Sequence, residues 1–164
     1  MPPAPEPASE SILLQDEATK SLFVFCDGRQ SFAVPPESVS EVINRLVPTT
    51  VPFVPDWVEG IISARGEIIP VLDLERFFRL PADDTRGRSR LIVFSVDEQA
   101  FAVWADRIIG VEPVEQPSLE PPLTSLPEAL RACISAQFRR EGALVLLVDL
   151  PRLLLDSRQQ AKGA

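Results

Sequence analysis

The chain has 164 residues, of which 45% are hydrophobic and 24% charged, a composition that predicts a folded domain rather than a disordered chain. It contains no histidine and no tyrosine, which excludes histidine-based catalytic triads, histidine zinc sites and phosphohistidine chemistry. The formal net charge of −8 argues against binding to nucleic acid or anionic membranes. A protein partner fits this charge better.

The two ends of the chain differ in composition from the middle. Residues 1–20 are rich in proline and acidic side chains, which predicts a disordered leader, and residues 158–164 predict a flexible tail. The leader lacks the basic segment of a signal peptide, and the longest apolar run, Ala143–Val148, is far shorter than the roughly 20 residues that span a bilayer. The folded part is therefore expected over residues 21–157, in a cytoplasmic protein.

In chain order, short apolar, β-branched and aromatic runs alternate with turn signals, which predicts many short strands. Two pieces that follow an aspartate gather apolar positions on one side and predict short capping helices. The predicted strands are Leu22–Cys26, Phe32–Val34, Val58–Ala64, Ile68–Leu72, Leu91–Val96, Ala100–Ala105, Ile108–Val111 and Leu144–Leu150, and the predicted helices are Leu74–Leu80 and Leu150–Arg158.

An internal repeat divides the folded part into two halves. The windows LFVFCDGRQSFAV at Leu22–Val34 and LIVFSVDEQAFAV at Leu91–Val103 share seven identities at an offset of 69 residues. A second pair, VLDLERFF at Val71–Phe78 and LVDLPRLL at Leu147–Leu154, lies at an offset of 76. The larger offset means that the second half is longer, and the proline-rich stretch Pro117–Pro127 is the expected place for the extra residues.

The repeat predicts a mainly β architecture of two pseudo-equivalent small barrels. Each half is close to the lower size limit for an independent core, so the halves should pack together, and closing each sheet into a barrel avoids exposed edges. We expect the first barrel at about residues 21–80, completed by a partner strand, and the second at about residues 90–155, with short capping helices. The groove between the barrels is the natural place for a partner segment to dock.

Asp73 and Asp149 occupy equivalent places in the two halves and invite comparison with an aspartyl dyad. Each is followed by leucine, without the glycine-containing turn that a dyad needs, so helix N-caps are the favoured interpretation. Cys26 and Cys133 lie far apart inside apolar runs, which predicts buried, inert thiols.

Two further segments leave alternatives open. Gly60–Val71 predicts a strand, a tight turn at Arg65 and Gly66, and a second strand; Arg65 is there either a solvated hairpin charge or a positioned functional cation. Phe53 and Trp57, in a proline-rich stretch, belong either to the core, which is favoured, or to a partner-binding loop or lid. No nucleotide, nucleophile or metal-ligand motif is present in the sequence.

Three segments together resemble the family of CheW-type chemotaxis coupling proteins: VSEV at Val39–Val42, GIISARGEIIPVLDL at Gly60–Leu74, and the run Leu144–Leu154. The resemblance covers about residues 21–155. It implies two five-stranded barrels of the OB/SH3-like kind around a shared hydrophobic core, no catalytic activity, and no cofactor or metal. It also implies an adaptor that links the cytoplasmic tips of chemoreceptors to a CheA-type histidine kinase, without nucleic-acid binding or membrane insertion.

The resemblance also implies which residues meet the partners. Arg65 matches a near-invariant arginine of the family and Glu41 the acidic residue near it, and we expect an ion pair between them. Val39, Gly60 and Gly66 match positions at or beside partner-binding surfaces. The regulatory domain of the kinase is expected at the barrel ends, and a receptor helix in the groove.

The sequence departs from the family pattern in places. Ser63 stands where asparagine is common, Ile134-Ser135 replaces an expected Ile-x-Gly, and residues 138–142 form an unusual hairpin. These changes put the partner set in question, so the alternative is an adaptor of a specialised chemosensory pathway that governs pili, surface sensing or second-messenger output. A small-barrel module that binds an oligonucleotide or oligosaccharide is a less favoured alternative, given the acidic charge.

Overall fold

The computed structural model describes residues 18–44, 46–83 and 87–162, which form ten strands and three α-helices. Single 3-10 turns lie at Pro36–Ser38, directly before β3, and at Gln116–Ser118, directly after β8. The elements are β1 (Thr19–Asp27), β2 (Gln30–Val34), β3 (Val39–Asn44), β4 (Val58–Ala64), β5 (Glu67–Leu72), α1 (Leu74–Phe77), β6 (Arg90–Val96), β7 (Gln99–Ala105), β8 (Arg107–Glu115), α2 (Glu128–Ala132), β9 (Ile134–Arg140), β10 (Ala143–Val148) and α3 (Leu150–Lys162).

The strands form two five-stranded sheets, which confirms the mainly β fold with two small subdomains. Sheet 1 has the order β8-β1-β2-β10-β9, and sheet 2 has the order β3-β6-β7-β5-β4. Each sheet takes three consecutive strands from one half of the sequence and a hairpin from the other half. This exchange corrects the expected barrel boundaries, since residues 19–34 belong with residues 107–148 rather than with the rest of the first half.

The expectation of closed barrels is also corrected. Among the described residues, no ladder joins the end strands of either order, β8 with β9 or β3 with β4. Instead, the loop that follows β3 makes a single bridge to β4, Thr49 to Ile61, and the loop that follows β8 makes the equivalent bridge, Glu120 to Gln137. An irregular segment thus contacts the outer edge of β4 and of β9 in place of a continuous ladder, which is another way to protect a sheet edge.

The core has three layers, and the repeated sequence supplies all of them. Leu22 and Val24 lie in a buried cluster formed by residues of sheet 1, and their counterparts Leu91 and Val93 lie in the equivalent cluster of sheet 2. The alternate residues of both hairpins, such as Phe25, lie in a third cluster between the two sheets. Because successive strand residues point to opposite faces, a strand buried on both faces needs a continuous apolar run. This burial is the physical reason for the repeated LFVF and LIVF segments.

Four two-residue hairpins connect neighbouring strands in the described part of the chain, and in three of them both central residues have positive φ. The β4–β5 turn has φ 53° at Arg65 and 78° at Gly66, and the β9–β10 turn has φ 51° at Glu141 and 81° at Gly142. Positive φ at both central residues defines the turn whose twist matches that of antiparallel strands. The hairpin at residues 138–142, which the sequence marked as unusual, is therefore the structural counterpart of the Arg65 hairpin.

The two predicted helices, α1 and α3, begin where the sequence predicts but end elsewhere, and α2 was not predicted. The side chain of Asp73 accepts a hydrogen bond from the backbone N–H of Arg76, and Asp149 accepts one from Arg152, so both are N-caps as expected. Helix α1 is shorter than predicted, whereas α3 continues to Lys162, so residues 158–162 are helical and not the expected flexible tail. Residues 1–17 of the expected leader lie outside the described residues.

No helix in the described part of the chain is both long and apolar enough to cross a membrane.

Candidate functional site

Arg65 stands at the tip of the β4–β5 hairpin. Ala64 pairs with Glu67 across the hairpin, so Arg65 and Gly66 form the two-residue turn, and the Arg65 side chain is 71% exposed. Among the described residues, apart from its two chain neighbours, no atom lies within 4 Å of a Cβ added at Gly66, so its backbone φ of 78°, not lack of space, favours glycine there. The turn presents a guanidinium to solvent on a well-defined backbone.

Glu41 joins this tip from the opposite end strand of sheet 2. Its Oε1 lies 3.7 Å from the Nε of Arg65, which confirms the expected ion pair. Because β3 and β4 are the two ends of the strand order, the pair fastens the ends of the sheet to each other. An exposed pair of this kind contributes at most about 1 kcal/mol to the free energy of unfolding, so its main effect is on geometry.

The other three predicted site residues differ in their exposure to solvent. Val39 begins β3 and packs half-buried against the core between the sheets, while Gly66 lies exposed in the turn. Gly60, in contrast, is buried, and a Cβ there would lie 2.3 Å from the carbonyl oxygen of Thr49. The close approach of the loop to β4 therefore requires glycine at position 60, and its expected place at or beside a partner-binding surface stays a prediction.

A groove runs between the two sheets on the side of Val39. It encloses a cavity of 370 Å³ and is lined by residues from both sheets and from the 3-10 turn that precedes Val39. Val96 of β6 and Val148 and Leu150 of the β10–α3 junction line it, and its charged lining residues are Lys20, Glu37 and Asp149. The groove therefore combines an apolar floor with a polar rim.

Comparison with known proteins places these features in a family. The model of the CheW-like domain matches residues 21–158. The chain belongs to the CheW-like family. The two-sheet fold and the Arg65–Glu41 pair are thus features of a CheW-like domain that occupies most of the sequence, and the resemblance of the Gly60–Leu74 segment is confirmed.

Relatives of this CheW-like chain come from several bacteria. Protein FrzA of Myxococcus xanthus is 29% identical over 154 residues, covering 92% of this chain and 95% of the relative. Chemotaxis protein CheW of Thermotoga maritima is 27% identical, covering 76% and 81%, and Protein PilI of Pseudomonas aeruginosa is 28% identical, covering 77% and 72%. The solved structure of the scaffolding protein TtCheW from Thermoanaerobacter tengcongensis has a TM-score of 0.71 at 26% identity, covering 80% of this chain and 84% of that one.

Sheet 1 of the CheW-like domain has its own arginine–glutamate pair, which the sequence did not reveal. Nε and Nη2 of Arg140 in β9 donate to the Glu112 carboxylate in β8 at 2.6 and 2.8 Å, and these bonds lower the pKa of Glu112. Both arginine–glutamate pairs join the end strands of a sheet. Arg140 is 24% exposed and contacts carboxylates through all three side-chain nitrogens, whereas the Arg65 side chain is 71% exposed and contacts Glu41 through Nε, so Arg65 is the more accessible of the two.

Asp73 and Asp149 act as caps in the CheW-like domain, and Asp73 is also part of an ionic network. The Arg88 guanidinium contacts the carboxylates of both Asp73 and Glu59, and Nε of Arg76 lies 3.6 Å from Oδ2 of Asp73. These contacts tie the linker between the halves to the start of α1. The carboxylate of Asp73 is thereby committed to structure, which argues against the aspartyl dyad.

The two thiols of the CheW-like domain are buried and free, as predicted. Burial first, and then the Asp156 carboxylate, raise the pKa of Cys133 to about 12, and its thiol donates to Asp156 at 3.4 Å. A thiol that stays protonated is a poor nucleophile.

Proposed function

We propose that this CheW-like protein is a non-catalytic adaptor that couples chemoreceptors to a CheA-type histidine kinase in a chemosensory array. The observation that carries the proposal is an exposed arginine, fixed on a tight turn by Glu41, on a CheW-like domain with a groove between its sheets. The adaptor acts in the cytoplasm and reaches the membrane through the receptors.

The Arg65 end of sheet 2 is the proposed docking surface for the regulatory domain of the kinase. Arg65 contacts Glu41 through Nε, which leaves the two terminal nitrogens to form a bidentate contact with a partner carboxylate. The preformed turn lowers the entropy lost on binding, because the arginine backbone is already ordered. Val39, two residues before Glu41, extends this surface toward the groove.

The groove between the sheets is the proposed site for a receptor helix. An amphipathic helix places apolar side chains in such a groove at helical spacing, and the floor at Val96, Val148 and Leu150 offers matching apolar contacts. The rim charges of Lys20 and Glu37 are placed to orient the polar edges of the helix. Because the groove and the Arg65 turn are separate, one adaptor can hold both partners together.

The experiment is a calorimetric titration of the protein with the regulatory domain of a CheA-type kinase from the same bacterium. We expect binding in the micromolar range, about −8 kcal/mol. Arg65→Ala and Val39→Asp should weaken it at least tenfold, because the first removes the guanidinium and the second places a charge on an apolar contact. Arg139→Ala is the matched control, since Arg139 is also an exposed arginine beside a two-residue hairpin.

Thermal unfolding of Arg65→Ala separates recognition from folding. The ion pair contributes little stability, so the melting temperature should stay within a few degrees of the unaltered protein. A large drop in melting temperature would contradict the recognition role of Arg65. Absence of binding by the well-folded unaltered protein to any such kinase domain would overturn the proposed coupling.

A second candidate function is supported by the relatives with other names. Proteins FrzA and PilI match this chain at identities similar to those of the CheW relatives, and Ser63 departs from the family pattern beside Arg65. The second candidate is an adaptor with divergent partners in a pathway other than swimming. Parallel titrations against the regulatory domains of every CheA-type kinase in the organism decide between the two candidates, by which kinase binds most tightly.

A further inference from the structure

The groove between the sheets lies where the described chain begins. β1 starts at Thr19, and Lys20 is one of the residues that line the groove. β2 ends at the same edge of sheet 1, since its last residue, Val34, pairs with Phe23 of β1, and the chain continues into Pro35, which also lines the groove. The segment that precedes β1 therefore joins the fold at the rim of the groove.

Most of the accessible wall of the groove is apolar. Its cavity of 370 Å³ falls within the range of ligand pockets, about 300–1,000 Å³. Pro35 is half-buried and Pro151 is exposed, so the apolar wall extends from the buried floor to the surface. The apolar lining residues are Pro35, Val96, Leu147, Val148, Leu150 and Pro151.

The leader contains an apolar cluster within reach of this groove. Ile12–Leu14 stands among prolines and acidic side chains and precedes the described residues. The six steps of chain from Leu14 to Lys20 span about 9 Å in helical backbone and about 20 Å in extended backbone. Because Lys20 already lines the groove, either length lets the cluster contact the apolar wall.

We propose that the leader of the same chain occupies the groove, with Ile12–Leu14 against its apolar wall. The short tether argues for this occupant, because it gives the cluster an effective concentration in the millimolar range. A separate copy at micromolar concentration offers the same cluster at a concentration about a thousandfold lower. The leader then competes with a receptor helix for the groove, a consequence that rests on the proposed function.

Paramagnetic relaxation enhancement in the full chain tests the contact. A nitroxide label is attached at Ser9→Cys, since the two native thiols are buried and react poorly. We expect the label to broaden the amide signals of Ser95 and Ser135, which line the groove from sheet 2 and sheet 1 and lie far from the leader in the sequence. The amide of Gly28, beyond the opposite end of β1, should stay sharp.

Variants of the labelled chain identify the groups in contact. Leu13→Asp together with Leu14→Asp should remove the broadening, because charged side chains are excluded from an apolar wall. Ala4→Asp together with Ala8→Asp is the matched control, which adds the same charge to the leader outside the cluster and should keep the broadening. Ser95→Trp places an indole in the groove at an exposed position, and it should remove the broadening of Ser135 with the leader cluster intact.

Three results would overturn the leader contact. The first is sharp groove signals in the labelled chain, and the second is broadening that persists after both leucines are replaced. The third is broadening of equal size when the nitroxide and the nitrogen isotope are on separate chains, which would assign the contact to a second copy.

Titration with a peptide from the cytoplasmic tip of a chemoreceptor of the same bacterium tests the competition. If the leader fills half of the grooves, its release tightens binding about twofold. We therefore expect the chain with both leucines replaced to bind at least about twofold more tightly than the Ala4 and Ala8 control. Equal affinities would overturn the competition. The spin-label experiment contains no receptor or kinase, so its failure does not bear on the proposed coupling.

Discussion

Asp27 shows how strongly a single buried carboxyl can respond to its surroundings. It ends β1 and is 4% exposed. Burial, which is the largest cause, and the neighbouring carboxylates of Asp106 and Asp73 together raise its pKa to about 7 against the opposing effect of Arg88. In the unfolded chain the carboxyl has its ordinary pKa of 3.8. The folded protein therefore binds a proton here over a pH range in which the unfolded chain does not.

This difference predicts how stability depends on pH. Between pH 4 and 7 the folded state holds more protons at Asp27, so the free energy of unfolding should fall as pH rises and then level off above pH 7. Asp27→Asn removes the titration, so the variant should lack this part of the decline and gain up to a few kcal/mol relative to the unaltered protein at pH 8. Urea unfolding at pH 4.5, 6 and 8 measures both effects. An equal decline in the two proteins would contradict the assignment to Asp27.

At the scale of elements, both β–α junctions have an aspartate as the helix N-cap. Asp73 and Asp149 each follow a strand of the repeat and cap the helix that begins at the next residue. The two sites differ in their surroundings, because Asp73 is buried within an ionic network while Asp149 is exposed. Substitution of Asp149, and not of Asp73, therefore measures what the cap alone contributes to the free energy of unfolding.

The cap of α3 gives a testable stability change. Asp149→Ala should lower the free energy of unfolding by about 1 kcal/mol, since it leaves the N–H of Arg152 without its side-chain acceptor. Asp149→Ser should restore most of that loss, because the serine hydroxyl is also a good capping group. Chemical denaturation of the three proteins makes the comparison. A serine variant as unstable as the alanine variant would show that the charge, and not the cap, is what matters.

At the scale of the whole molecule, the exchanged hairpins make the two sheets depend on each other. Sheet 1 needs β1 and β2 from the first half, and sheet 2 needs β6 and β7 from the second. The parallel pairings β2 with β10 and β5 with β7 join the halves within each sheet. Neither half can complete a sheet alone, so the domain should unfold in a single transition.

Cutting the chain tests this dependence. Fragments 1–81 and 82–164 should each lack stable β structure when alone, because each presents a hairpin and three strands that belong to different sheets. Mixed together, they should regain the circular dichroism spectrum of the intact protein. A cooperative unfolding transition in fragment 1–81 alone would contradict the exchange of hairpins. The intact chain at equal concentration is the control.

Much of the fold was visible in the sequence because it depends on local chemistry. The repeated apolar segments, the caps at Asp73 and Asp149, and the turn at Arg65 follow from strand burial, side-chain hydrogen bonding and backbone φ, all of which involve neighbouring residues. The family resemblance also led to the Arg65–Glu41 pair. Strands β3 and β9 were not predicted, since edge strands such as Ile134–Arg140 mix polar and apolar residues and lack a clear pattern.

Tertiary structure alone decided which hairpin joins which sheet, because the two hairpins present the same apolar pattern on both faces and either sequence fits either sheet. It also decided the fate of two aromatic residues in one loop. Both are aromatic residues in a proline-rich stretch, so the sequence does not distinguish them. Trp57 is buried because it packs against Phe77, whereas the backbone of the loop leaves Phe53 fully exposed. The Arg140–Glu112 pair likewise required the folded sheet, which brings together residues 28 positions apart.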